Sequence, residues 1–431
     1  MGMTRKYWKG IDELKETPQF IESRNQEFPA QTSMDEFLSD ESLQESSTGR
    51  RDFLKFLGFS VAAATVAACE APVTKAIPYV NKPEDVIPGM PTWYASTYYD
   101  GNSYASILVK TREGRPIFVK GNKDFGVTKG SVNPQIIGSV LGLYDSERVQ
   151  GPLAQGEAKN YSDVDSKIST ELKTANKVVL VSNSIISPSL LGAIDELSLS
   201  LGGTQTEMGV VNDKFEHIQY DAVSYAGIRK ANEATFGKAI IPDYDFTKAK
   251  TIVSIGADFL NSWLVSTQYT HQYGTRRNPE GDWMSKHFQF ESVLSIAGSN
   301  ADERAMIKPS EQANVLGYML SEFGVSTSAP KTLSEGAMKV AKSAVKALKS
   351  SKSESIVICG SNDKSLQILV NKLNDKLGAY TSTINLNNEV QMFKSEDEKM
   401  MNFVNSVVKG NGPDAVIMLD VNPAYTLANG S

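Results

Sequence analysis

Two thiols, Cys69 and Cys359, and three imidazoles, His217, His271 and His287, are the scarce reactive side chains among 431 residues. Such groups hold soft metals or act as nucleophiles near neutral pH. Here they fall at no useful spacing. There is no CxxC, no thiol set able to hold an iron–sulfur cluster, no metal-ligand histidine pattern and no local Ser/His/Asp set. The carboxylates are many and form no informative pair. Ligand chemistry is left to three short segments, Gly256-Ala257-Asp258, Gly360-Ser361-Asn362 and Val421-Asn422-Pro423, each following an apolar run. Loops at the ends of parallel strands are where ligands bind. None of the three is a GxGxxG or a P-loop, and ordinary glycine and Asx turn chemistry accounts for them as well. No catalytic, cofactor-binding or metal residue is therefore assigned from the residues themselves.

A different chemistry is written at Arg50-Arg51-Asp52-Phe53-Leu54-Lys55. Paired arginines followed by Phe53, Leu54 and Lys55, and then by a weakly apolar run, match a twin-arginine export signal. The run from Phe56 to Ala68 has 13 residues. At ~1.5 Å per residue it is too short to cross a ~30 Å hydrocarbon core. Gly49 stands where Ser or Thr is usual, with Thr48 one place earlier. An ordinary buried helix opening on two arginines is the competing interpretation. Val66-Ala67-Ala68-Cys69 resembles a lipobox, which makes Cys69 the candidate lipidation site. Acyl chains there would hold the protein on a membrane face without spanning it.

Composition narrows the class. A net charge of −6 with no basic, aromatic-rich stripe argues against a nucleic-acid partner. Apolar content of 40% and charged content of 22% suit a globular body with a sizeable core. Residues 1–49 form an extension, acidic and serine-rich from Thr32 to Gly49 and expected to be disordered. Residues 50–69 carry the export signal. Residues 70–91 hold Pro72, Pro78, Pro83, Pro88 and Pro91 and suit an extended tether.

Residues 92–155 are expected to form a small β-containing segment. Ser106–Lys110 and Pro116–Gly121 are short strands joined through Arg112-Glu113-Gly114-Arg115, where Gly114 is free to take positive φ. A short helix is expected over Ile136–Leu143. Residues 156–431 alternate strand and helix. The strands are Lys177–Ser182, Thr251–Gly256, Ser355–Gly360 and Asp414–Leu419. Ser187 and Pro188 open a helix whose face is Leu190, Leu191, Ile194 and Leu197. Leu366, Leu369, Val370 and Leu373 mark another, capped near Ser361-Asn362-Asp363. Thr332 and Glu335 suggest a capping box for a lysine-rich helix. The stretch from Trp263 to Arg304 yields no firm element. The expectation is an α/β fold with parallel sheets and helices on both faces.

Taken together, these segments resemble the molybdopterin-oxidoreductase family, in the variant with an internal twin-arginine signal that forms the B subunit of alternative complex III. The resemblance runs through Tyr7-Trp8 to Glu13-Leu14, the Arg50-Arg51 segment, Ile77-Pro78-Tyr79-Val80 with Pro83-Glu84, and Glu113-Gly114-Arg115-Pro116 with Gly121-Asn122. It continues in Leu143-Tyr144-Asp145 with Arg148, Tyr244-Asp245-Phe246 with Ala257-Asp258-Phe259-Leu260, Asn300-Ala301-Asp302-Glu303-Arg304 and Asn422-Pro423-Ala424-Tyr425. Catalytic relatives carry a cysteine cluster just before the hairpin. This chain has Trp93-Tyr94-Ala95-Ser96-Thr97-Tyr98-Tyr99 there.

The resemblance implies a scaffold without a pterin cofactor of its own. It implies iron–sulfur clusters in a ferredoxin-like domain further along, with the end at Ala428-Asn429-Gly430-Ser431 looking like a cut inside the domain. Implied partners are an integral membrane quinol-oxidising subunit, c-type cytochrome subunits and the twin-arginine export machinery. The implied place is the periplasmic face of the inner membrane. The alternatives are a catalytic molybdopterin enzyme of the polysulfide- or nitrate-reductase kind, which the missing cysteines oppose, and a stand-alone exported binding protein.

Overall fold

Strand pairing in the computed structural model begins with an antiparallel meander. The structure describes residues 87, 89–207 and 209–428. The N-terminal extension, the export signal, Cys69 and nearly all of the tether lie outside the described residues. Strands β1 (Thr92–Tyr99), β2 (Tyr104–Arg112) and β3 (Arg115–Gly121) lie side by side in that order. Glu113 and Gly114 both take positive φ, 51° and 77°, as a two-residue hairpin turn of the primed type requires. Alternate residues Ala105, Ile107 and Val119 bury one face against Ile136. The expected strands at 106–110 and 116–121 are thus present and longer. Strand β1 was not legible, because most of its side chains are exposed and it shows no apolar alternation. The expected helix over Ile136–Leu143 is two short pieces. Pro134–Gly138 is capped by the Asn133 side chain, and a 3-10 turn over Ser139–Leu143 follows.

The rest is α/β, with two parallel sheets. The first has order β10-β4-β5, from β4 (Val178–Ser182), β5 (Phe215–Gln219) and β10 (Ala415–Leu419). The second has order β8-β7-β6-β9, from β6 (Thr251–Ile255), β7 (Lys286–Glu291), β8 (Glu303–Met306) and β9 (Ser355–Cys359). All five residues of β6 and of β9 are buried, which is why both are mostly apolar in sequence, with only small hydroxyl residues among Ile, Val and Cys.

Helices cover both faces of the four-stranded sheet. Val253, Phe288, Phe290 and Val357 pack with Leu316, Ala344, Leu348 and Leu373 from the helices Gln312–Glu322, Glu335–Ser351 and Lys364–Leu377. On the other face Ile252, Ile356 and Ile358 meet Ile228, Tyr269 and Tyr273, from the helices Ala226–Phe236 and Ser266–Thr275. Phe246 stacks on Phe259 at 4.7 Å within the same cluster.

Local expectations fare unequally. Ser187 caps the helix Pro188–Ser200, its hydroxyl accepting the Leu190 N–H, with Pro188 at the first turn. Ile194, Leu191 and Leu197 face the core, whereas Leu190 is 37% exposed at the edge of the stripe. Asp363 caps the helix Lys364–Leu377, accepting from the N–H groups of Ser365 and Leu366. The capping box at Thr332 is corrected. Ser334 caps the helix Glu335–Ser351 and accepts the Ala337 N–H, so Glu335 is already in the first turn. Leu333, just before the cap, packs on the core and sets where the chain enters.

Strands β7 and β8 and the helix Ser266–Thr275 occupy the stretch where no firm element was expected. In β7 the polar residues His287, Gln289 and Glu291 alternate with Phe288 and Phe290, yet all five are buried. A two-residue period normally signals a strand with one wet face. Here the polar face is buried too, satisfied by hydrogen bonds within the row and from Tyr273, Ser295 and Arg304.

Candidate ligand clefts at the strand carboxyl ends

In the four-stranded sheet, β6, β7 and β8 follow one another outward, and β9 lies on the far side of β6. The chain order therefore reverses between β6 and β9. A crevice opens outside the carboxyl ends of two strands at such a switch. Gly256 and Gly360 stand there. Gly256 has φ +66°, and a Cβ on Gly360 would lie 2.2 Å from the Gly256 carbonyl oxygen. The two loops thus touch backbone to backbone. Gly360→Ala is expected to lower stability by about 1–3 kcal/mol, because a backbone atom cannot move aside as a side chain can. A denaturant midpoint unchanged from wild type would contradict that close approach.

The crevice has a volume of about 670 Å³. Its floor carries Tyr225, Trp263 and Phe393, with Tyr225 and Phe393 edge to face at 4.7 Å. Its walls carry Ser224, Asp258, Asn261, Ser262 and Ser266, the meander supplies Asn102 and Ser103, and the short helix after it supplies Asn133 and Gln135. Asp258 is committed to the backbone: its carboxylate accepts the Ala297 N–H, and its carbonyl accepts from Asn261, Ser262 and Trp263. Asn362 accepts the Gly227 N–H and donates to Asp397.

The three-stranded sheet repeats the device. Strands β5 and β10 flank β4, so its order reverses between β4 and β10. Two adjoining cavities of about 430 and 110 Å³ lie there, sharing Asp100, Gly101, Asn183 and Asp420. Val421 and Asn422 line the smaller one, while Asn422 also caps the single turn Pro423–Thr426. The loop Asp100-Gly101-Asn102-Ser103 between β1 and β2 thus reaches both crevices. Its position could come only from tertiary contacts.

The two crevice edges are tied by a polar network, buried at Ser184, Asp221 and Ser395. Asp221, 5% exposed, accepts from the Ser184 N–H and hydroxyl. Its own N–H goes to Ser395, whose hydroxyl donates to Asp397. Asp397 also receives Ser224 and Asn362. Burial pushes the Asp221 carboxyl above the ordinary carboxylate range, against the pull of the Ser184 bonds. Ser184 lies in the loop after β4 and Asn362 in the loop after β9, so this network links the two crevice edges.

A phosphate-bearing cofactor of the kind the family resemblance brings to mind does not fit these linings. No lysine, arginine or cysteine lines any of the three cavities, and Asp258, Asp100, Asp221 and Asp420 do. A pyrophosphate would add negative charge where no cation offsets it. Helix N-termini could substitute by offering free N–H groups. The helix after β9 has spent its first N–H groups on Asp363, and the helix after β4 has spent one on Ser187.

Cys359, the one cysteine described, is 1% exposed below Gly360, and burial pushes its thiol up to about 11. Among the described residues no group of three or more His, Cys, Asp or Glu could hold a metal ion. No described helix is long and apolar enough to cross a membrane. His217 faces the Ser182 hydroxyl, and His287 lies in the β7 polar row.

No family model matches the chain. Over 302 residues it is 27% identical to the menaquinone reductase, molybdopterin-binding-like subunit, of Nitratidesulfovibrio vulgaris. That alignment takes in 65% of this chain and 41% of the relative, so the chain spans less than half of the relative's length. Among solved structures, acetylene hydratase from Pelobacter acetylenicus superposes with a TM-score of 0.40 at 12% identity, over 68% of this chain and 42% of that one. So loose a superposition leaves any kinship with molybdopterin-binding-like chains resting on the sequence match.

Proposed function

We propose that this chain is the scaffold part of a subunit of a quinol-oxidising respiratory complex of the alternative complex III kind, and that it does no redox chemistry itself. The observation that carries the proposal is the lining of the switch-point clefts. They keep the geometry of ligand sites, yet they present carboxylates, amides and hydroxyls and no cation or thiol. The similarity to a molybdopterin-binding-like subunit of a menaquinone reductase agrees with a role beside quinone chemistry.

In this reading iron–sulfur clusters of a further domain carry the electrons, and the chain docks on an integral membrane quinol-oxidising subunit and on c-type cytochrome subunits. Arg50 and Arg51 direct export through the twin-arginine machinery, and Cys69 anchors the protein at the periplasmic face.

Metal analysis and electron paramagnetic resonance of the purified 431-residue chain test the proposal. The expected result is molybdenum and iron far below one atom per chain and no paramagnetic centre. Stoichiometric molybdenum, or a cluster signal from these residues, would overturn it in favour of a catalytic molybdopterin enzyme.

A further inference from the structure

The outward face of the meander combines exposed aromatic rings with lysines. Cross-strand pairing sets Trp93, Lys110 and Phe118 in one row, and Ala95, Leu108 and Lys120 in the next, all on the side opposite the buried Ile107 and Val119. Trp93 is 38% exposed and Phe118 is 42% exposed. The loop after β3 lies over the same face, with Gly126 against Ser106, and presents Phe125 and Val127 to solvent. The ammonium of Lys120 sits 4.1 Å from the Trp93 ring centre and that of Lys110 5.8 Å.

Lys250 lies 5.9 Å from the Trp283 ring centre but also pairs with Glu354, and Lys286 pairs with Glu303. Lys110 and Lys120 both face the one Trp93 indole. Between Tyr104 and Gly130 there are six basic residues and two acidic ones, in a chain whose net charge is −6.

We propose that this face, centred on Trp93, Phe118, Lys110 and Lys120, docks on an anionic phospholipid surface. Aromatic rings settle at the headgroup level, and lysines on four-carbon stems reach lipid phosphates without a fixed register. Charge complementarity selects the occupant, since the cations are concentrated where the apolar side chains are exposed. The inference goes beyond the scaffold reading, because it assigns a lipid contact to the folded body itself.

The test uses the full chain carrying Cys69→Ser, which removes acylation. It is sedimented with vesicles of phosphatidylcholine alone or with one-quarter phosphatidylglycerol. Binding to the anionic vesicles is expected, weakening with salt. Lys110→Gln with Lys120→Gln should weaken it roughly 30-fold, and Phe118→Ser several-fold, with unfolding midpoints unchanged. The export segment is common to all these proteins, so the differences report the sheet face. Equal partition onto neutral vesicles, or wild-type binding by the lysine variant, overturns the proposal. So does a lysine variant that keeps vesicle binding and loses a protein partner of native membranes.

Discussion

Glu291→Ala is expected to destabilise the protein by about 3 kcal/mol, the scale for breaking a buried charged pair from one side. The Glu291 side chain is 4% exposed at the end of β7. Its carboxylate accepts from Arg304, from the Ser295 hydroxyl and N–H, and from the Gln289 amide. Burial pushes its pKa up, but these bonds together hold it below the ordinary carboxylate range. Truncation strands all of those donors. Arg304, 28% exposed, recovers some hydration, which keeps the expected loss at the lower end. Lys349→Met supplies the contrast. Its partner Glu322 and its own side chain are 40% and 48% exposed, so a change within about 0.5 kcal/mol is expected. Urea midpoints of the two variants decide the matter; equal shifts would refute the buried role of Glu291.

Acidification provides the second large effect. His287 is fully buried between Tyr273 and Gln289, and burial brings its pKa from 6.5 down to about 4. The native imidazole is therefore neutral, while the unfolded chain takes up a proton below about pH 6.5. Stability from this group is complete above that pH and declines as the pH falls towards about 4, by about 3 kcal/mol in all. His217, also held down by burial, adds to the slope in the same window. The carboxylates held low, Glu291, Glu303 and Asp245, begin to lose stability only further down. His287→Gln should flatten most of the decline between pH 6.5 and 4 in denaturant titrations. A variant as pH-sensitive as wild type would show that the imidazole is already charged in the fold.

The same row of residues explains what could be read in advance. Strands β4, β6 and β9 are mostly apolar and buried throughout because both faces are covered, and a run of that kind is legible without a structure. Ser187 and Asp363 were legible for a local reason, since a cap bonds N–H groups two or three residues on. Strand β7 was not legible, because its polar half is satisfied by Arg304, Ser295 and Tyr273, none of them within the strand. Strand β1 escaped for the opposite reason, as its exposed side chains follow no pattern.

Residue order alone determined the class of the fold, the β-turn at Glu113-Gly114, and the lack of clustered thiols and imidazoles. These follow from side-chain type and from contacts only a few positions apart. Tertiary structure decided which loops meet. Gly256 and Gly360 are 104 positions apart in the chain, and only parallel pairing of β6 with β9 brings them into contact. It also decided that Asp100, Asp221 and Asp420 face one crevice while Lys110 and Lys120 lie together on the meander's outer face. Charge acts through space, so a chain's net charge cannot say which cleft is acidic or which surface is basic.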